Sequence, residues 1–133
     1  QTTRSVALPG EGAMRRMTQW VIDASKQCGR NRLMEIATPQ TWRELLADSA
    51  GVPHRVVAHP GGESTHFDLG LGRDPTEMLA AVGPEGGFTD DEITAAREAA
   101  WRVADLGRRI LRVETAALCM VVRLTCPGNE SRS

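Results

Sequence analysis

A glycine-rich segment at residues 83–88 is the first part of this sequence whose residue types could bind a ligand. It reads Gly-Pro-Glu-Gly-Gly-Phe and follows the apolar run Met78–Val82, which predicts a buried parallel strand. Glycines allow backbone N–H and C=O groups to approach a ligand without intervening side chains. Phosphate would suit a helix N-terminus, but the P-loop and dinucleotide-binding spacings are absent and acidic residues surround the segment. The segment therefore favours a neutral or cationic ligand, with a tight turn that binds nothing as the alternative.

Residues 106–116 form a second segment, in which cationic and apolar side chains are mixed. Three arginines flank two apolar residues, in the order Arg108, Arg109, Ile110, Leu111 and Arg112. Guanidinium groups in such a loop could hold RNA phosphates or a substrate base. Equally, Arg109 or Arg112 could pair with Glu114 or Glu85 and only brace the loop. The residues alone leave both interpretations open.

The elements that must position these two segments alternate between strands and helices. Two capping boxes, Thr41 with Glu44 and Thr89 with Glu92, predict helix starts. Apolar spacing predicts helices at residues 13–28, 41–49, after 89 and at 114–124, and strands at 33–37, 54–59, 78–82 and 103–106. The inner faces of the last two helices are predicted to carry Ile93, Ala96, Ala100, Ala117, Met120, Val121 and Leu124. This alternation is typical of an α/β fold, a parallel sheet with helices on both faces.

Glycines gather at three of the predicted strand ends, in residues 59–62, 83–87 and 107–109. Ligands of parallel sheets bind at the carboxyl ends of the strands. The sequence therefore predicts a binding site at this edge of the sheet.

Composition limits the class of protein. A chain of 133 residues is expected to form one domain over residues 1–133. Its 41% hydrophobic and 25% charged residues exclude a disordered chain, and its net charge of −1 excludes a polycationic nucleic-acid coat. No apolar run approaches the roughly 20 residues of a membrane span. Three scattered cysteines, Cys28, Cys119 and Cys126, suit neither a disulfide framework nor a zinc site and indicate a reducing, intracellular setting. A cytoplasmic location is expected.

The two candidate ligand-binding segments together resemble those of a known family. Residues 81–88 and 106–116 are similar to the matching segments of the small-subunit ribosomal RNA uridine-N3 methyltransferases, which belong to the SPOUT superfamily of knotted methyltransferases. Residues 24–30, Ala-Ser-Lys-Gln-Cys-Gly-Arg, resemble the (E/K)Q(S/C)GR helix end of that family. Residues 57–60, Val-Ala-His-Pro, resemble its third recurring segment. The four segments occur in the family's order across residues 3–125.

The resemblance implies a deep trefoil knot near the C-terminus, formed by the loops at residues 83–88 and 107–112 with the last helix. It also implies a homodimer and a bent S-adenosylmethionine bound in the knot, with no metal. The adenine would meet backbone groups near Leu106, Gly107, Ile110 and Leu111. The methionine part would lie near His59, Val82, Gly83, Glu85 and Gly87.

The reaction that the resemblance implies is methyl transfer to N3 of a uridine in 16S ribosomal RNA. The N3 proton must leave and the nitrogen must attack the sulfonium methyl in line, so positioning matters most. Arg30 and Arg112 match motif arginines of the family and are predicted to engage the base or a phosphate. Glu85 is predicted to orient the cofactor amine or to offset the sulfonium charge. His59 is expected to pack at its strand end rather than to act as a base.

The chain also departs from the family pattern. Family members carry an N-terminal PUA-like RNA-binding domain and an opening βα unit before the segment that resembles Thr3–Val6, and we expect this chain to lack both. Aromatic side chains for base stacking are few. A truncated, non-catalytic module that binds the cofactor or a partner is therefore the competing interpretation, and a phosphate or nucleotide binder is a third.

Overall fold

The computed structural model describes residue 2 and residues 10–29, 31–63 and 77–125. Strands and helices alternate along residues 78–125, whereas two helices and then a long strand precede them. In chain order the elements are α1 (Glu11–Gln27), α2 (Trp42–Asp48) with a 3₁₀ turn (Ser49–Gly51), β1 (His54–Glu63), β2 (Met78–Val82), α3 (Asp90–Glu98), β3 (Arg102–Ala104) and α4 (Val113–Thr125).

The three strands form one parallel sheet in the order β2-β1-β3. The central strand β1 pairs on both sides, so that Val57 lies opposite Ala81 and Val103, and Ala58 lies opposite Val82 and Ala104. The predicted parallel α/β architecture is confirmed.

Helices cover both faces of this sheet. Side chains alternate between the two faces along each strand, so apolar strand residues on both faces need cover from solvent. The row of Val57, Ala81 and Val103 packs with side chains from α2 and α3. On the opposite face, Val56 and Ala104 pack against two residues of α4, Met120 and Leu124. Each face therefore has its own apolar core, and the prediction of helices on both faces is confirmed.

A cluster of three aromatic rings holds α2 and α3 against the first face. The ring of Trp42 lies 4.7 Å from that of Phe88 and 5.5 Å from that of Trp101. The indole N–H of Trp42 donates to the carbonyl of Glu92 at 3.0 Å, and that of Trp101 donates to the Ser49 hydroxyl at 3.2 Å. Both buried indoles thus have hydrogen-bond partners, as burial requires. Because Phe88 ends the glycine-rich segment, the cluster anchors that segment to the core.

Both predicted capping boxes are present. The Thr41 hydroxyl accepts from the backbone N–H of Glu44, whose carboxylate accepts in turn from the backbone N–H of Thr41 at 2.7 Å. The Thr41 amide, and next its hydroxyl, lower the pKa of Glu44, since both stabilise the ionised form. Thr89 and Glu92 repeat the arrangement at the start of α3.

The strand predicted at residues 33–37 is wrong. These residues are irregular, and the side chains of Leu33 and Met34 are 53% and 60% exposed. A strand requires a neighbour that accepts its backbone hydrogen bonds, and none of the strands in the described ranges pairs with this segment.

Two strand ends differ from prediction for identifiable reasons. Strand β1 continues past Pro60 to Glu63, with a register shift against β3 that sets both Ala58 and Glu63 opposite Ala104. Strand β3 ends at Ala104 rather than Leu106, because the Asp105 side chain accepts from the backbone N–H of Gly107. Such a local side-chain bond competes with the ladder of a sheet.

Two side chains predicted to face the core do not. Val121 is exposed, because the buried stripe of α4 repeats every four residues at Ala116, Met120 and Leu124. Ala100 is exposed and lies beyond the end of α3, with a φ of +60°.

Ala100 occupies the left-handed position of a Schellman motif. Its N–H donates to the carbonyl of Arg97, and the N–H of Trp101 donates to that of Ala96, both at 2.9 Å. Glycine is the preferred residue at this position, because a Cβ is strained there.

We expect Ala100→Gly to stabilise the protein. Relief of left-handed strain contributes roughly 1–2 kcal/mol, and the added freedom of the unfolded chain removes about 0.4–1 kcal/mol of that gain. The free energy of unfolding, measured by urea denaturation, should rise by about 0.5–1 kcal/mol.

Ala47→Gly is the matched control, because Ala47 is exposed within α2. This change should destabilise the protein by about 0.5–1 kcal/mol. An Ala100→Gly variant that is no more stable than the parent chain would contradict the assignment of the motif.

Candidate functional site

The carboxyl ends of the three strands meet at one edge of the sheet. Ala58 pairs with both Val82 and Ala104, so β2 and β3 end level with Ala58, while the last residues of β1 continue beyond them to Glu63. Residues 59–63, 83–88 and 105–112 extend from these ends, and we refer to them as the strand-end edge. Ligands of open parallel sheets bind in this position.

The segment that leaves β2 is a tight turn held from the core. The N–H of Gly87 donates to the carbonyl of Pro84 at 2.8 Å. A Cβ added to Gly83 would lie 3.1 Å from the buried ring of Phe88, so a side chain there would crowd the anchor. Val82, Gly83 and Gly87 are half-buried, whereas Glu85 is exposed in the turn. This segment therefore presents backbone groups and the carboxylate of Glu85 to a ligand.

The segment that leaves β3 combines buried and exposed apolar residues with cations. Leu106 packs against the α4 core and Leu111 is half-buried, whereas Ile110 is 97% exposed. Gly107 and the three arginines are also exposed. The carbonyl of Arg112 accepts the first hydrogen bond of α4, from Ala116 at 2.8 Å.

Among the described residues, the structure does not show the bracing role that the sequence left open for these arginines. Within the part of the chain that the structure describes, no ion pair joins Arg109 or Arg112 to Glu85 or Glu114. The guanidinium groups are therefore available at the surface beside the turn that follows β2.

The segment that leaves β1 runs close over β3. A Cβ added to Gly62 would lie 2.6 Å from the carbonyl oxygen of Val103, so only glycine fits this approach. The N–H of Gly61 donates to a carboxylate oxygen of Asp105 at 3.2 Å. His59 is half-buried at the same end. Two of the three segments of the strand-end edge are thus in direct contact.

Sequence reasoning missed Asp105. One of its carboxylate oxygens accepts from Gly107 at 2.9 Å and the other from Gly61. The Gly107 amide, and then the Gly61 amide, hold the pKa of Asp105 below its ordinary value, and the charge of His59 adds a smaller effect. An aspartate two residues before a glycine is the local signature of an Asx turn, which could have indicated the first bond.

The structure brings nearly all predicted site residues to the strand-end edge. The predicted cofactor-binding positions there are His59, Val82, Gly83, Glu85, Gly87, Leu106, Gly107, Ile110 and Leu111. Arg112, a predicted catalytic residue, lies at the same edge. Arg30, the other predicted arginine, lies outside the described residues. The edge thus offers backbone groups for a small ligand beside exposed cations for an anionic one.

Two grooves in the described part of the chain lie elsewhere. A groove of about 660 Å³ separates α1 from residues 34–37 and is lined mainly by apolar side chains, among them Met17, Trp20 and Met34. A second, of about 450 Å³, lies between the two capping boxes. Neither contains a predicted site residue, so the assignment of the site rests on the topology of the strand ends rather than on a concavity.

The described ranges contain neither a metal-binding cluster nor a membrane-spanning helix. No group of three or more His, Cys, Asp or Glu side chains there could hold a metal ion. None of the helices in the same ranges combines the length and hydropathy needed to cross a bilayer.

Known sequences match this chain over most of its length. Ribosomal RNA small subunit methyltransferase E of Bacillus subtilis is 30% identical over 128 residues, which cover 89% of this chain and 50% of that protein. The Synechocystis protein of the same name is 31% identical over 119 residues, which cover 86% of this chain and 39% of that protein. The chain therefore spans about half or less of the length of these curated relatives.

Solved structures are also similar to this chain over most of its length. A methyltransferase from Legionella pneumophila, solved with the bound cofactor SAM, superposes with a TM-score of 0.75 at 29% identity, over 92% of this chain and 52% of that chain. A ribosomal RNA small subunit methyltransferase E from Neisseria gonorrhoeae, bound to S-adenosyl methionine, gives 0.67 at 32% identity, over 92% and 53%.

The family described as an RNA methyltransferase domain matches residues 1–125. This match contains every segment of the strand-end edge. The chain belongs to the RNA methyltransferase domain family.

Proposed function

We propose that this chain binds S-adenosylmethionine at the strand-end edge and transfers its methyl group to N3 of a uridine in small-subunit ribosomal RNA. The observation that carries the proposal is the meeting of three glycine-bearing strand ends beside exposed arginines. Relatives solved with this cofactor bound support it. Ribosomal RNA methyltransferase relatives support the class of substrate.

The residues of the edge fit the two parts of the cofactor. Adenine is a flat, largely apolar base with polar edges, and the apolar surface of Ile110 and the backbone of Leu106, Gly107 and Leu111 suit it. The methionine part would lie near His59, Val82, Gly83 and Gly87. Glu85, an exposed carboxylate on this side, would orient the amine or offset the sulfonium charge.

Bound there, the cofactor would supply an electrophilic methyl group on its sulfonium. The chain's own residues would orient the two reactants and hold the RNA. Uracil N3 would lose its proton to solvent, and S-adenosylhomocysteine would leave as the methyl group is transferred. The guanidinium of Arg112 would stabilise the uracil anion or bind an adjacent phosphate. We propose the same kind of role for Arg30.

The truncated, non-catalytic alternative is not favoured. The family match runs continuously to residue 125 and includes all the proposed site residues. Several finer features stay predictions: a single domain over residues 1–133, the SPOUT-type trefoil knot, the absence of a metal, and a cytoplasmic location, which a ribosomal substrate supports.

We further propose that the chain forms a homodimer through α4. Leu118, Val121 and Val122 are exposed on this helix, on the side away from the buried Met120. Their spacing of three and four residues makes one apolar stripe. The same stripe on a second copy of the chain would cover it, and the resemblance to a family of homodimers is in line with such a pairing.

A charge placed on this stripe should dissociate the dimer. We expect Val122→Glu to be monomeric and the parent chain dimeric in sedimentation equilibrium at the same concentration, because burying an unpaired carboxylate is costly. Thr94→Glu, at an exposed position of α3, is the control and should remain dimeric. A parent chain that is monomeric, or a Val122→Glu variant that is still dimeric, would refute this interface.

Cofactor binding and methyl transfer can be tested separately. Isothermal titration with S-adenosylmethionine should give one site per chain, and a methylation assay should use 30S subunits that lack the modification. Arg112→Ala should retain cofactor affinity but lose methyl transfer on the order of 100-fold, because it removes a group that stabilises developing charge.

Arg97→Ala, which removes an exposed arginine from the last turn of α3, is the matched control and should leave transfer unchanged. The absence of any cofactor binding would refute the proposed function. Binding without transfer by the parent chain would instead support the non-catalytic alternative. Mass spectrometry of the RNA product identifies the methylated nitrogen.

A further inference from the structure

The side chain of Asp105 bridges two segments of the strand-end edge. One carboxylate oxygen accepts from the N–H of Gly107 at 2.9 Å, in the segment that leaves β3. The other accepts from the N–H of Gly61 at 3.2 Å, in the segment that leaves β1 and 44 residues away in the chain. A single carboxylate therefore joins the end of β1 to the segment that follows β3.

Both donors adopt backbone conformations that favour glycine. The φ of Gly61 is +79° and that of Gly107 is +124°. No atom lies within 4 Å of a Cβ built on Gly61, so there is space for a side chain. Glycine is favoured there by the backbone conformation alone. Positive φ values cost other residues energy, and here they turn two amides towards one acceptor.

The close approach of the neighbouring residue supports the bridge independently. Gly62 lies so near β3 that an added Cβ would collide with the Val103 carbonyl oxygen. The end of β1 is thus held against β3 by packing at Gly62 and, next to it, by the hydrogen bond from Gly61 to Asp105.

The bridge sets the orientation of the peptide group between Leu106 and Gly107 at the strand-end edge. In a planar trans peptide the N–H and C=O point in opposite directions. Because the Gly107 N–H is directed to Asp105, the carbonyl of Leu106 is directed away from it. A carbonyl held in this way can accept a hydrogen bond from an amino group of a base without first reorganising.

We propose that Asp105 is a positioning residue for the cofactor, which acts through the Gly61 and Gly107 amides to preorganise the strand-end edge. This inference rests on the proposed function above. Preorganisation raises affinity because the loop is ordered before the ligand binds. The lowered pKa of Asp105 keeps its carboxylate ionised around neutral pH, and an ionised acceptor makes the stronger hydrogen bonds.

The test compares Asp105→Asn with the parent chain and with a matched control. Asparagine keeps the shape of the side chain, but its NH₂ group cannot accept, so one of the two backbone amides loses its partner. We expect the Kd for S-adenosylmethionine to rise about tenfold, and the KM for the cofactor to rise with little change in kcat. The amide proton resonances of Gly61 and Gly107 should shift in the ligand-free protein.

Asp48→Asn is the control, because Asp48 is exposed at the end of α2, before β1 begins. It should bind the cofactor like the parent chain. If Asp105→Asn does not fold, as judged by circular dichroism, Asp105→Ser takes its place, since a hydroxyl can still accept from Gly107 but is too short to reach Gly61 as well.

The outcomes separate the two proposals. Equal affinity of the parent chain and the Asp105 variant overturns the positioning role and leaves the proposed function intact. Weaker binding by the Asp105 variant with unshifted glycine amide resonances also overturns it, because the effect would not pass through the bridge. A parent chain that does not bind the cofactor overturns both.

Discussion

Strand β1 is hydrogen-bonded to a parallel neighbour on each side, and the rest of the structure depends on this pairing. Val57 has no exposed surface at the centre of the sheet, so both faces must be covered. Helices α2 and α3 cover one face and α4 covers the other. Parallel pairing also has a consequence for function, because it directs all three strands to end at the same edge, where the glycines and arginines follow.

The core and the strand-end edge are connected through a few residues. Trp42 packs on Phe88, which closes the glycine turn after β2. Leu106 belongs to the core under α4 and begins the segment after β3. Asp105 joins that segment to the one after β1. Each of the three segments is thus attached to the fold at its base, while its outer part presents backbone and charge to a ligand.

Local signals in the sequence predicted the local structure well. Both capping boxes and the apolar run of β2 are recognisable because their interactions lie within a few residues. The strand at residues 33–37 was wrong because a strand depends on a partner that no local pattern reveals. Asp105 was missed for a related reason, since Gly61 is 44 residues away and only the register shift of β1 brings it near. Arg30 lies outside the described residues, and its role stays a prediction.

The location of the cofactor is the central claim, and hydrogen–deuterium exchange of the full chain with and without S-adenosylmethionine tests it most directly. Backbone amides become protected where a ligand orders or covers them. We predict protection in residues 59–63, 83–88 and 105–112, with α1 unchanged. Protection confined to the groove between α1 and residues 34–37, or no protection at the strand-end edge at saturating cofactor, would contradict the account.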